Sequence, residues 1–152
     1  MIEYYKDGTP CECDRMYRDC YDPGDATTEN AILMEWPVIN GKMHGIRRQY
    51  DTNGNIEWED SYIAGRPNGF DKWFWPSGIL SSLSFRVNGK IEGLETSYYE
   101  NGTLHSEVFY KKGKREGAEK WFFTDGAIER IDVYKEGKFI LRTIGGPTEN
   151  AL

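Results

Sequence analysis

The chain has 152 residues, 25 acidic and 19 basic side chains, and a formal net charge of −6. This length is typical of one domain, and five Trp, ten Tyr and seven Phe are too many aromatic residues for a disordered chain. The acidic balance argues against a nucleic-acid binder, which needs a basic surface, and it is compatible with a basic protein partner.

The N-terminal residues contain no apolar segment of a signal peptide, and no run approaches the roughly 18 apolar residues of a membrane-spanning helix. We therefore expect a cytoplasmic protein without a transmembrane segment. Cys11, Cys13 and Cys20 are an odd number of cysteines in one short segment, which favours reduced thiols over disulfides. Because a structural zinc site needs four ligands, we expect neither a metal nor a cofactor.

Most of the chain consists of a repeat unit of 24 residues, which is described below. Residues 1–10 resemble the second half of this unit, since Tyr4-Tyr5-Lys6-Asp7-Gly8 is similar to Tyr98-Tyr99-Glu100-Asn101-Gly102. Residues 11–35 interrupt the pattern, contain all three cysteines and are predicted to form an irregular insertion. Either a degenerate repeat or a short helix beginning near Thr27 or Thr28 and including Ile32 to Met34 fits this segment, and both alternatives stay open.

Residues 36–143 are predicted to form the repeat domain. Two series of glycines recur there every 24 residues without an insertion or deletion. The first series opens each unit and the second marks its middle: Gly41, Gly65, Gly89, Gly113 and Gly137, then Gly54, Gly78, Gly102 and Gly126. A fixed period of this size indicates a repeat architecture.

Each unit is predicted to be one β-hairpin. The runs between the glycines, such as Leu94 to Tyr99 and Leu104 to Lys111, are short and rich in aromatic and β-branched residues, as strands are. Dipeptides such as Asn101-Gly102 favour two-residue hairpin turns. We therefore predict an all-β fold, an antiparallel meander of hairpins in an elongated, curved sheet, followed by a flexible tail at residues 144–152.

Side-chain alternation assigns two faces if the turns in the middle of each unit have two residues. One face then carries Ile46, Phe70, Leu94 and Ala118 together with Phe85 and Phe109. The other face carries five aromatic residues and, opposite them, four aliphatic ones: Trp73, Trp75, Tyr99, Trp121 and Phe123, with Ile56, Leu80, Leu104 and Ile128. Asp71, Glu95 and Glu119 are predicted to form an acidic rim on that second face.

The sequence contains no recognisable catalytic constellation. His44 and His105 are the only histidines; both are predicted to lie at the surface, and no nucleophile is tied to either. The glycines end strands and do not open helices, so no phosphate-binding loop is present. We therefore expect a protein that is not an enzyme.

The spacing of the repeat resembles the bacterial variant of the MORN repeat, of the kind found in YwqK-family antitoxins. The residues that carry this resemblance are Gly89-Lys90, Gly93, Tyr98-Tyr99, Asn101-Gly102, Leu104, Glu107 and Tyr110, with their counterparts one period away. The resemblance implies stacked hairpins and a protein that binds another protein. Arg66-Pro67 and Arg86 depart from the pattern.

The resemblance also implies an antitoxin or immunity protein that neutralises a bacterial toxin or effector by masking its surface. Under this hypothesis Trp73, Trp75, Tyr99, Trp121 and Phe123 bind the partner, and Asp71, Glu95 and Glu119 attract a basic one. Two alternatives stay open. The aromatic residues can stack between repeats, and the chain can be a MORN-type scaffold or a lipid-associated module, although its negative charge disfavours anionic lipids.

Overall fold

The structure is a computed structural model that describes residues 15–21 and 31–145, with side chains from residue 34 onward. The regular elements in these ranges are strands, and they form a single antiparallel sheet. In chain order they are β1 Arg15–Tyr21, β2 Ala31–Ile39, β3 Lys42–Met43, β4 Gly45–Tyr50, β5 Ile56–Ile63, β6 Arg66–Phe74, β7 Leu80–Val87, β8 Lys90–Ile91, β9 Gly93–Tyr98, β10 Leu104–Lys111, β11 Lys114–Arg115, β12 Gly117–Phe122, β13 Ile128–Lys135 and β14 Lys138–Ile144.

The long strands pair in chain order from β1 to β14, so every neighbour in the sheet is a neighbour in sequence. The two-residue strands β3, β8 and β11 extend the pairing of β2, β7 and β10 beyond the opening turns. The sheet does not close, because β1 and β14 are its two ends. The predicted all-β hairpin meander is confirmed.

The turns that open each unit have two residues, and both residues have positive φ. Val87 pairs with Lys90 across Asn88 (φ 51°) and Gly89 (φ 82°). This is the type I′ geometry, whose twist matches that of the flanking strands. The same pair of positive φ angles recurs at residues 40–41, 64–65, 112–113 and 136–137.

The turns in the middle of each unit have three residues, so the two-residue turns predicted there are wrong. The Trp75 N–H donates to the Ile79 carbonyl (2.7 Å), and the Gly78 N–H donates to the Trp75 carbonyl (2.8 Å). With Gly78 at φ 82°, this is a type I turn followed by a left-handed glycine. The same two hydrogen bonds occur at residues 51–55, 99–103 and 123–127.

A β-bulge beside each of these turns restores the alternation of side chains. Phe74 pairs with Leu80, but Trp73 pairs with Ser82, so Ser81 is an extra residue in the return strand. A three-residue loop alone would exchange the two faces, and one extra residue exchanges them back. The predicted faces are therefore correct for the bodies of the strands. Leu80, however, pairs with Phe74 and lies on its face, as do the equivalent Ile56, Leu104 and Ile128 with their partners.

The sheet begins inside the segment that was predicted to be irregular. Strands β1 and β2 pair with each other, with a register shift between Asp19 and Cys20. Residues 31–34 are part of β2, so the helix that was one alternative for Ile32 to Met34 does not form, and the degenerate repeat agrees with these strands. Residues 1–10, Cys11, Cys13 and most of the predicted tail lie outside the described residues.

Gly69 lies close to Ser61 of the neighbouring strand, and this close approach can be tested by substitution. Gly69 (φ 116°) and the equivalent Gly93 (φ 87°) both have backbone conformations that disfavour a Cβ atom. A Cβ at Gly69 would lie 2.7 Å from the Ser61 Cβ, whereas a Cβ at Gly93 would meet nothing within 4 Å. We expect Gly93→Ala to lower the free energy of unfolding by about 1–2 kcal/mol and Gly69→Ala by roughly 1–3 kcal/mol more.

Urea unfolding of the two variants measures this difference. A Ser61→Gly background removes the atom that the new methyl group would strike, and it should therefore bring the Gly69→Ala loss down to that of Gly93→Ala. Equal losses for the two variants in the wild-type background would contradict the packing argument.

Candidate functional site

One line of side chains crosses the sheet from strand to strand and includes its most buried residues. Cross-strand pairing, together with the alternation of side chains along β7, β9, β10 and β12, places Arg47, Asp60, Asp71, Ser84, Glu95, Val108, Glu119, Asp132 and Arg142 in this line. We call it the ionic row and its side of the sheet the ionic face. Ser84 is 7% exposed, Val108 5%, Glu119 3% and Asp132 2%, so the ionic row is the core of this thin protein.

Arginines neutralise most of the carboxylates in the ionic row. Arg47 binds Asp60 through two hydrogen bonds of 3.0 and 2.9 Å. Arg142 binds both oxygens of Asp132 at 2.6 and 2.8 Å. Arg86 and Arg115, from neighbouring positions on the same face, reach Asp71 at 2.8 Å and Glu119 at 3.1 Å. Such pairing is the condition under which charged groups are buried without a large penalty.

The predicted acidic rim is therefore wrong in its location. Asp71, Glu95 and Glu119 lie in the middle of the ionic face, and Asp71 and Glu119 are paired with arginines of the same chain. The two ion pairs neutralise the charges of Asp71 and Glu119 within the chain. Whether these residues touch a partner remains a prediction.

Two carboxyl groups of the ionic row have pKa values shifted in opposite directions. The hydrogen bonds from Arg142 hold the pKa of Asp132 below its ordinary value, with Arg130 adding to the effect. Burial raises the pKa of Glu95, because it penalises the charged form more than Arg115 and Arg86 favour it, and Asp71 adds repulsion. The fold thus stabilises the Asp132 carboxylate and disfavours that of Glu95.

The predicted aromatic residues lie on the ionic face, close to the turns in the middle of each unit. Two of them bind the next repeat directly: the Trp75 Nε1–H donates to the Tyr98 carbonyl (3.0 Å), and the Tyr99 hydroxyl donates to the Phe122 carbonyl (2.8 Å). These bonds support the alternative in which the aromatic residues join successive repeats. Trp73, Trp75 and Phe123 nevertheless remain exposed.

Trp121 is half-buried on the ionic face and is packed against neighbouring side chains. The Arg130 guanidinium lies 4.3 Å from the centre of its ring, and His105 meets it edge-on with ring centres 5.0 Å apart. His105 also contacts Tyr99, with ring centres 4.5 Å apart, and its Nδ1 lies 3.3 Å from the Ser97 hydroxyl. His105 is therefore a half-buried residue of the ionic face, in the bulge after the turn, and is packed against two rings. His44 is exposed as predicted.

A cleft of about 440 Å³ opens on the ionic face beside two consecutive mid-unit turns. Its aromatic walls are Trp58, Trp73 and Trp75, with Pro76, and its polar lining includes Gln49, Asp51 and Glu57. Trp58 does not belong to the recurrent aromatic positions of the repeat. Its equivalents in the other units are Ser82, Ser106 and Arg130, so a search for recurrent aromatic residues passes over it.

The opposite face, which we call the apolar face, carries an exposed apolar row. Cross-strand pairing, together with the alternation of side chains along β7, β9, β10 and β12, places on this face Phe70, Phe85, Leu94, Phe109, Ala118, Val133 and Leu141. Phe85 is 49% exposed, Leu94 51%, Phe109 45% and Leu141 48%. Because the described strands form a single sheet, none of them covers this row.

The two long edges of the repeat stack differ in charge. Residues 51–57, 75–81, 99–105 and 123–129, around the mid-unit turns, contain five acidic residues and no Lys or Arg: Asp51, Glu57, Glu100, Asp125 and Glu129. The opening turns instead carry lysines, and these turns stack on one another, as the Gly113 N–H bond to the Ile91 carbonyl (2.9 Å) shows. We call these the acidic edge and the basic edge.

A single open sheet of stacked hairpins with a constant period defines the chain as a β-repeat scaffold. Residues 43–64, 91–112 and 115–136 match the family model of the MORN repeat variant. The unit between the first two matches contains the departures Arg66-Pro67 and Arg86. No curated protein matches the chain. The repeat type and the scaffold that the resemblance implied are thus supported for these residues.

Two kinds of feature are absent from the part of the chain that the structure describes. No helix in residues 15–21 or 31–145 is long and apolar enough to cross a membrane. The same ranges contain no group of three His, Cys, Asp or Glu residues arranged to hold a metal ion. Cys11 and Cys13 lie outside these ranges.

The opposite pKa shifts in the ionic row predict opposite effects of neutralising two acids. At pH 7, Asp132→Asn should lower the free energy of unfolding by about 2 kcal/mol, because it removes charged hydrogen bonds from Arg142. Glu95→Gln should leave it unchanged or raise it, because burial penalises the Glu95 carboxylate. Urea unfolding at pH 7 measures both effects.

The pH dependence tests the cause of each effect. The Asp132 contribution is present above the unfolded pKa of about 3.9 and is lost as the pH falls through its lower folded value, so Asp132→Asn and wild type should converge in strong acid. Any advantage of Glu95→Gln should vanish below the unfolded Glu pKa of about 4.3, where both states are protonated. A loss of stability in Glu95→Gln at pH 7 would contradict the assignment.

Trp121 and Trp73 occupy equivalent positions two units apart and provide a second comparison. Trp121→Ala should lower the free energy of unfolding by about 2–3 kcal/mol, because it removes a packed ring and leaves a void. Trp73→Ala should cost less than about 1 kcal/mol, because half of that ring is already exposed. Thermal unfolding followed by circular dichroism measures both, and equal losses would contradict the packing described here.

Proposed function

We propose that the chain is a protein-binding antitoxin or immunity protein that neutralises a bacterial toxin or effector by covering its surface, without catalysing a reaction. The observation that carries the binding role is the exposed apolar row. Phe85, Leu94 and Phe109 are adjacent in this row and each is nearly half exposed. Contiguous exposed apolar residues of this kind mark interaction surfaces.

The surroundings of the apolar row are those of a protein interface. The neighbouring row on the same face carries ion pairs within the sheet, Lys72 with Glu59 at 2.9 Å and Lys120 with Glu107 at 2.7 Å. These pairs present polar groups without a net charge beside the apolar centre. A dehydrated apolar centre with a polar periphery is the usual anatomy of a protein–protein contact.

The toxin-neutralising part of the proposal rests on the resemblance of the repeat to that of YwqK-family antitoxins. The mechanism is steric: a broad, regular sheet face covers the catalytic or receptor-binding surface of its partner. A net charge of −6 would raise the association rate with a basic partner through electrostatic attraction, most strongly at low ionic strength. The aromatic residues of the ionic face would add contacts at the acidic edge.

The basic edge favours a second candidate function, a lipid-associated scaffold. Lys42, Lys90, Lys114 and Lys138 occupy the same position in stacked opening turns, and each is exposed. A line of lysines attracts anionic head groups by about 1 kcal/mol per residue near the surface. The overall negative charge opposes this attraction, so protein binding is the preferred function.

A charge placed in the apolar row tests the proposed function. Wild-type protein should capture a protein from its native host whose expression alone arrests growth, and co-expression of wild type should restore growth. Leu94→Lys should weaken the captured complex by about 2 kcal/mol or more, roughly 30-fold in Kd, and should fail to restore growth. Asn88→Lys, at an exposed opening turn where the equivalent residue one unit later is Lys112 with a similar positive φ, adds the same charge and should behave as wild type.

The result that contradicts the proposal is a folded Leu94→Lys protein that binds the partner and restores growth as wild type does.

Flotation with vesicles containing anionic lipid tests the second candidate function, the lipid-associated scaffold. Binding to those vesicles that is lost when Lys90 and Lys114 are replaced by glutamine, without any toxic partner, would favour the lipid-associated scaffold.

A further inference from the structure

We propose that the cleft between Trp58, Trp73 and Trp75 is an aromatic cage that takes the cationic head of an arginine or lysine side chain from a protein partner. The proposal rests on the proposed function in one respect: the cation is assumed to belong to a protein partner. It concerns the ionic face, whereas the apolar row lies on the other face. A partner that uses the cleft must present an ammonium or guanidinium group at the acidic edge.

The geometry of the cleft suits a cation. The Trp58 and Trp73 rings have centres 5.9 Å apart and are tilted by 38°, and they line the same cleft as Trp75 and Pro76. Trp73 is 50% exposed and Trp75 37%, so incoming groups can reach both rings. The face of an indole ring carries negative electrostatic potential and attracts ammonium and guanidinium groups more strongly than other aromatic side chains do.

Hydrogen bonds fix the orientation of the two exposed rings. The Trp73 Nε1–H donates to the Asp71 carboxylate (3.1 Å), and the Trp75 Nε1–H donates to the Tyr98 carbonyl (3.0 Å). Asp71 is itself held by Arg86. Rings that are already ordered lose little rotamer freedom when a ligand arrives, and this preorganisation favours binding.

The protein uses the same contact internally at Trp121 and at Trp58, the least recurrent ring of the cage. Because Arg47 already lies over Trp58, the rings that receive an incoming cation are the exposed Trp73 and Trp75. The Arg130 guanidinium lies 4.3 Å from the centre of Trp121, and the Arg47 guanidinium lies 4.4 Å from the centre of Trp58. Trp121 and Arg130 are cross-strand partners. Two units earlier the partners at the same positions are Trp73 and Ser82. The strand opposite Trp73 therefore supplies a small hydroxyl where the strand opposite Trp121 supplies a guanidinium.

The charges around the cleft favour a cation, because the Arg47 guanidinium beside Trp58 is neutralised by two hydrogen bonds to Asp60. Asp51 and Glu57 are part of the lining, and the acidic edge as a whole has no Lys or Arg. Asp51 accepts hydrogen bonds from the Asn53 and Asn55 N–H groups and from the Asn55 side chain. These bonds lower the pKa of Asp51 and keep it ionised at neutral pH.

An isolated cation–aromatic contact is weak, so a short peptide is the appropriate probe. Contacts of this kind are weakest where the ring is exposed and become stronger where the cation is desolvated. With two rings and nearby carboxylates, we expect a peptide containing one arginine to bind with a Kd of about 1 mM. A complete partner would combine this contact with others.

Nuclear magnetic resonance of the indole N–H groups tests the proposal on the full chain. The probe is acetyl-Gly-Arg-Gly-amide, and the control is the same peptide with citrulline, which is similar in shape but neutral. We expect saturable shifts of the Trp58 and Trp73 signals with the arginine peptide, no response to citrulline and no response of Trp121. Equal responses to both peptides would overturn the proposal. Tetramethylammonium binding more tightly than the peptide would overturn the choice of a protein side chain.

Matched variants exploit the difference between the two units. Ser82→Arg places a guanidinium opposite Trp73, as Arg130 lies opposite Trp121, and should weaken peptide binding at least tenfold while the unfolding midpoint stays unchanged. Arg130→Ser makes the converse change and should create a response at the Trp121 signal. If Ser82→Arg fails to fold, Trp73→Ser is the substitute and should abolish the Trp58 shift. Wild-type binding in the folded variants would overturn the cage.

The test separates this inference from the proposed function. Leu94→Lys lies on the opposite face and should bind the arginine peptide as wild type does, even though it is expected to lose the protein partner. A chain that binds and neutralises a toxin but ignores the peptide would refute the cage alone. A chain that binds the peptide but has no toxic partner would refute the toxin-neutralising function alone.

Discussion

Each repeat stays in phase because two irregularities cancel. A three-residue turn in the middle of the unit would exchange the two faces of the return strand, and the single extra residue of the adjacent bulge exchanges them back. Since side chains alternate with a period of two, this cancellation keeps the same position on the same face in every unit. The ionic row, the apolar row and the cleft all depend on it, because each consists of side chains aligned across several units.

The described strands form a single sheet without a second layer among them, and such a sheet cannot build an ordinary apolar core. The most buried side chains belong to the middle of one face, and there the chain places carboxylates bound by arginines in place of packed aliphatic groups. Arginine suits this position because its flat guanidinium binds both oxygens of a carboxylate while its methylene groups cover neighbouring rings. The apolar side chains of the other face stay exposed, and this leaves the protein with a surface that suits a partner.

The candidate site therefore divides between two faces with different chemistry. The apolar face offers area without charge, and the ionic face offers oriented indole rings beside the acidic edge. The chemistry of the ionic face at each tryptophan depends on residues that differ between units. Serine at position 82 and arginine at position 130 give two equivalent tryptophans, Trp73 and Trp121, different surroundings.

The spacing of glycines determined the repeat, its period and its hairpins, because only glycine adopts positive φ at low cost and each turn needs one. The alternation of residues also determined which face carries Phe85 and which carries Trp73. Turn lengths, the bulges and the position of Leu80 depended on backbone hydrogen bonds that a dipeptide such as Asn101-Gly102 does not specify. Only the tertiary structure placed Asp71 and Glu119 at the centre of a face, each with an arginine partner from its own unit. Only the tertiary structure joined Trp58 to Trp73 of the next unit, because a periodic sequence pattern does not encode which non-recurrent side chains will meet.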